Sequence, residues 1–142
     1  MNGNAELLNF IYQNSQMGVN TIQQLIKIVE DKKFKDHLHE QLKGYEEIHQ
    51  SAKEILNKNG YDEKGIGAFN KIKTYLMINL QTLNDKTSSH VSEMMILGSN
   101  MGIIDAIKNV RKYKEAEDDI VSLMKGLQKF EEENVEKLKV FL

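Results

Sequence analysis

Apolar residues recur every three or four positions along almost the whole chain, the period of helices buried along one face. Leu8, Ile11, Ser15, Gly18, Ile22, Leu25 and Val29 make the first stripe. Asn4 is placed to cap that helix, and Glu6 to meet the positive end of its dipole. The charged run Glu30-Asp31-Lys32-Lys33 predicts a short turn. A second helix then carries Leu38, Leu42, Tyr45, His49, Ala52 and Leu56 on its inner side. It should stop at Asn59-Gly60, where glycine can take the left-handed conformation of a helix C-terminus. A third helix is expected over roughly Asp85 to Tyr113, with Met94, Leu97, Met101, Ile104 and Val110 inward. A fourth should run from about Ala116 to the end, with Ile120, Leu123, Leu127, Phe130, Asn134, Leu138 and Phe141 inward.

The link between the second and third helices, Tyr61 to Asn84, is too long for a turn and is itself amphipathic at Phe69, Ile72, Leu76, Leu80 and Leu83. Asp62 to Gly67 reads as loop and the remainder as a crossover helix, one that could run straight into the third helix. A helical segment of about 18 residues spans about 27 Å, most of the length of a bundle. Short links within each helix pair and one long link between them predict an all-α four-helix bundle with a crossover between helices two and three. All 142 residues fit a single domain.

The two halves repeat. Ser15-Gln16-Met17-Gly18-Val19 returns as Ser99-Asn100-Met101-Gly102-Ile103. Leu42, Tyr45-Glu46-Glu47 and His49 return as Leu127, Phe130-Glu131-Glu132 and Asn134. Mid-helix glycine costs about 1 kcal/mol relative to alanine, so Gly18 and Gly102 are expected where two helix backbones approach closely. A small apolar cavity lined by Met17, Met94, Met95, Met101 and Met124 is the alternative to plain core packing there.

Composition reinforces this picture. The chain has no proline where average usage would give about seven, so long uninterrupted helices are permitted. It has no cysteine, which removes disulfides, thiolate metal sites and cysteine nucleophiles. A formal charge of -2 leaves no basic stripe for nucleic acid. No apolar run approaches the roughly 18 residues of a membrane span, and Met1 to Glu6 lacks the features of a signal peptide. A cytoplasmic protein is expected.

One motif carries candidate chemistry. Glu46-Glu47-Ile48-His49 contains Glu-x-x-His, a spacing that puts carboxylate and imidazole on one helix face. With 21 acidic residues and four histidines, chance supplies about 0.6 such pairs, and Asp36-x-x-His39 is a second. The place of Glu46 and His49 on the inward stripe, and their partner Glu131-x-x-Asn134, single them out. Through repeat, crossover and this motif the chain resembles the ferritin-like superfamily, in particular rubrerythrin-type and small bacterial bundles. There, two Glu-x-x-His motifs and two further glutamates hold a pair of metal ions.

That resemblance implies metal ligands at Glu46, His49 and Glu131, with Asn134 in the position equivalent to His49. The rest of the set is missing. No carboxylate occurs from Leu7 to Val29, and asparagine is a poor replacement for imidazole. The expectation is therefore an inward polar cluster of Glu46, His49, Glu131 and Asn134 with no cofactor, in a non-catalytic structural or interaction protein. The alternative is a reduced iron or manganese site with redox or storage activity. A weaker one is a spore-coat-like role, from Gly60-Tyr61 at the end of a long second helix.

His37 and His39 are expected to face solvent. His39-Glu40-Gln41-Leu42-Lys43-Gly44 is one residue too long for the phosphotransfer pattern His-x-Leu-Lys-Gly. An apolar surface strip of Ile48, Ile55, Val121, Val135 and Val140 would suit a homodimer.

Overall fold

Residues 3–63 and 70–142 are described by the computed structural model, and they are helical with no strand among them. The elements are α1 (Gly3–Ile26), α2 (Lys32–Lys58), α3 (Asn70–Gln81), α4 (Ser88–Lys112), α5 (Asp118–Leu138) and a terminal 3-10 turn (Lys139–Phe141).

Local chemistry sets most of the helix ends. Asp31 caps α2 by accepting from the Phe34 amide at 2.9 Å, and Thr87 caps α4 by accepting from that of His90. The end of α2 is a Schellman turn. Gly60 has φ +69°, its amide donates to Asn57 and the Tyr61 amide donates to Leu56, as the glycine predicted.

Asn4 departs from expectation. It lies within α1 rather than capping it, and its Oδ1 accepts from the Glu117 amide at 2.8 Å, so it serves the first turn of α5. Glu117 is the N-cap of α5, so its amide lies outside the intrahelical ladder and needs an acceptor from elsewhere.

Specific contacts fix the helix directions. Ser15 meets His49 and Asn9 meets Asp62, so α1 and α2 are antiparallel. Ser92 bonds the Leu138 carbonyl and Gly102 lies against Glu131, so α4 and α5 are antiparallel too. Asn4 beside Glu117 and Asn14 beside Glu131 make α1 and α5 parallel. One core joins them: Leu7, Leu8, Ile11, Ile22 and Leu25 from α1, Phe34, Leu38 and Leu56 from α2, Met94 from α4, and Ile120, Met124 and Leu127 from α5. The Phe34 and Phe141 rings stack at 4.7 Å and close one end.

The crossover helix α3 is separate from α4, because Thr82 to Thr87 breaks the chain between them. Ile72 and Leu76 are buried as their spacing predicted; Phe69 and positions 64–67 of the expected loop lie outside the described residues. The inner face of α4 is rotated from the expected one. Leu97 and Ile104 are exposed, whereas Val91, Met94, Met95, Gly98, Ser99, Gly102 and Ala106 face inward. Small residues win this side because other groups need the space: a Cβ on Gly98 would come within 3.1 Å of Leu76. Of the proposed surface strip only Val140 is fully exposed, and Val135 is buried.

Two glycines test this account of the helices. Neither Gly60 nor Gly126 would bring a Cβ within 4 Å of a neighbour. Only Gly60 has positive φ, so Gly60→Ala should lose about 1 kcal/mol of stability in urea unfolding. Gly126→Ala, inside α5, should gain about 0.5–1 kcal/mol.

Candidate functional site

The three implied metal ligands are not brought together. Glu131 is buried, 2% exposed, whereas Glu46 points to solvent. His49 is half-buried on the far side of α1: its Nδ1 lies 3.2 Å from the Tyr12 carbonyl oxygen and 3.3 Å from Ser15 Oγ, and its ring packs on Tyr12. Asn134 is buried but turns back on its own helix, donating to the Phe130 carbonyl at 2.8 Å. Among the described residues no group of three or more His, Asp or Glu side chains could hold a metal ion. The expected four-residue polar cluster is thus replaced by another, with Glu131 as the shared member. Tyr45 takes the inward position of α2, and on a helix the next residue turns away by about 100°. This leaves Glu46 outside.

Glu131 is held by neutral donors from two other helices. Asn14 Nδ2 of α1 donates to Oε1 at 2.8 Å, and the Tyr45 hydroxyl of α2 donates to Oε2 at 2.8 Å. Gln41 and Ser99 also reach the Tyr45 oxygen. One turn back on α2, Gln41 Oε1 accepts from His37 Nε2 at 2.9 Å. A polar line of His37, Gln41, Tyr45, Glu131 and Asn14 therefore runs through the apolar interior. His37 is buried beside Phe141 rather than exposed, and burial lowers its pKa. His37 follows Phe34 by one turn, on the face that packs at the closed end.

The repeated glycines make room for this line. A Cβ on Gly18 would meet the Tyr45 ring at 2.7 Å, and one on Gly102 would meet Asn14 Nδ2 and Glu131 Oε1 at 3.2 Å. They accommodate side chains rather than a close approach of backbones. Gly44 does the same for the Phe130 ring, which packs edge-on against Tyr45 at 5.0 Å.

The electrostatics follow from burial. Loss of water raises the Glu131 pKa to about 7, although the bonds from Tyr45 and Asn14 favour the ionised form. Burial, then the neighbouring Glu131 charge, raises the Tyr45 phenol well above its usual value. Beside these groups lies a cavity of about 40 Å³, walled by Asn14, Tyr45, Ser99 and Glu131 on its polar side and by Met17, Ile72, Leu76 and Met95 on its apolar side. Of the methionines expected to line it, Met17 and Met95 do, and Met94, Met101 and Met124 are not among its walls.

Asn14 is the residue that sequence reasoning missed. It adjoins Ser15 on the inward stripe, and a search for carboxylates and imidazoles passes over an amide. Compared with known protein families, curated proteins and solved structures, the chain matches none.

A raised carboxyl pKa stabilises the fold below the unfolded value and loses that contribution as pH rises through the folded one. For Glu131 the window runs from about 4.5 to about 7, and the loss amounts to roughly 3 kcal/mol. Glu131→Gln, which cannot ionise, should therefore gain on the parent chain in urea unfolding as pH rises from 5 to 8. A constant difference across that range would contradict the buried acid.

Proposed function

We propose that the chain is a non-catalytic helical bundle of ferritin-like plan, a structural or interaction protein whose metal centre has been given over to a hydrogen-bonded core. The plan is supported by the helix directions: α1 up, α2 down, α4 down and α5 up, with α3 in the long link that two successive parallel helices require. The duplicated sequence fits an origin from one helix pair. A single observation carries the loss of the centre. The one carboxylate at the right level, Glu131, has an oxygen bonded by Asn14 and the other by Tyr45, while Glu46 faces outward. A metal ion placed on Glu131 would lack a ligand set of sufficient number among the described residues. This arrangement supports the loss of an iron or manganese site over a reduced one.

The reading is tested by elemental analysis of protein produced with iron, manganese or zinc supplied. The expected content is well below one ion per chain and unchanged by His49→Ala. A stoichiometric ion that this substitution removes would refute the proposal.

A further inference from the structure

A cleft of about 320 Å³ between α1 and α3, flanked by Met77 and Leu80, lies next to the cavity beside Glu131 and shares Met17, Thr21 and Leu76 with it as walls. The inner space suits a polar head: it brings together a carboxylate, a phenol, an amide and a serine hydroxyl, and Thr21 adds a second hydroxyl at the junction. The outer space has an apolar side, Met17, Leu76, Met77 and Leu80, on which an aliphatic chain can lie, and a polar side with Asn20, Gln24 and Gln81.

The head's charge follows from what surrounds the carboxylate. Among the described residues Glu131 is bonded only by neutral donors, with no lysine, arginine or histidine paired to it. Burial without a counter-charge keeps Glu131 protonated up to about pH 7, and a cation with hydrogen-bond donors is the complement that favours its ionised form. An anionic head would meet Glu131 directly. Lys73 stands at the cleft, so a second positive charge at the far end of the ligand would be disfavoured. An ammonium head also matches the acceptors present, because it offers three donors to the carboxylate and hydroxyl oxygens.

We propose that the cavity and cleft together form a binding site for a protonated aliphatic monoamine, its ammonium group on Glu131 and its chain between α1 and α3. This goes beyond the non-catalytic reading above, which stands or falls by metal content and not by this ligand.

Titration with hexylammonium, hexanol and hexanoate, followed by calorimetry and by methyl spectra of the methionines, is the test. Saturable binding of hexylammonium is expected, about tenfold or more tighter than hexanol, with no binding of hexanoate. Met17, Met77 and Met95 methyls should shift while Met124, in the core away from the cavity, stays fixed. Glu131→Gln should erase the preference over hexanol. The spectra of the unmodified chain decide the matter even if that variant folds poorly. Equal affinity for the alcohol, no saturable binding of the amine, or shifts that include Met124 but spare Met17 and Met95 would overturn the proposal.

Discussion

Everything distinctive about this molecule turns on one buried carboxylate. Glu131 enters the core on α5, where loss of water alone would make it a defect. Two hydrogen bonds from two different helices make it a fastening instead, since Asn14 and Tyr45 can satisfy it only if α1, α2 and α5 hold one register. The fourth wall is the inner face of α4, where Gly102 leaves the space that the Asn14 amide and the carboxylate occupy. Purely apolar faces would tolerate small slips along the helix axes; a shared polar knot tolerates very few. The cost is visible in the acid itself, which holds its proton to about pH 7.

That constraint explains the pattern of small residues better than helix packing does. Gly18, Gly44, Gly98 and Gly102 stand opposite Tyr45, Phe130, Leu76 and the Asn14–Glu131 pair respectively. Each removes a Cβ where a large or polar side chain from another helix must lie. Three of the four contacts involve the Glu131 centre or the rings packed on it. Helix propensity is sacrificed at these places, by about 1 kcal/mol per glycine, for a knot that positions the whole core.

How far the sequence was legible depends on which physical rule governed each element. Helix positions followed from apolar period, and the end of α2 followed from Gly60, because both are local properties of the chain. The rotation of α4 did not follow. Its apolar residues encircle the helix, and Leu97 and Ile104 are as hydrophobic as Met94, so hydrophobicity alone could not select the inner face. What selected it was the bulk on the neighbouring helices, a nonlocal property. The same failure displaced the site. Glu46 and Tyr45 adjoin each other, and a chemical motif drew the eye to the acid, while packing turned the phenol inward. His37 was misjudged for a related reason: closeness to a turn suggested exposure, but the Phe34–Phe141 stack closes that end over it.

Under the proposed duplication, the two halves diverge at the position that matters most. Phe130 and Tyr45 correspond, and so do Glu131 and Glu46, yet one half buries the acid and the other buries the aromatic hydroxyl beside it. A symmetric arrangement would place two carboxylates in one core without a cation, and like charges at that distance in a medium of low dielectric repel strongly. Keeping one acid and pairing it with a phenol gives an asymmetric centre that a single chain can satisfy without metal. The Tyr45 hydroxyl can do this because Gly18 admits its ring and Phe130 meets it edge-on. A phenylalanine at that position, as in the other half, would leave Glu131 Oε2 without its donor. A tyrosine rather than a phenylalanine at position 45 is therefore a condition for burying Glu131.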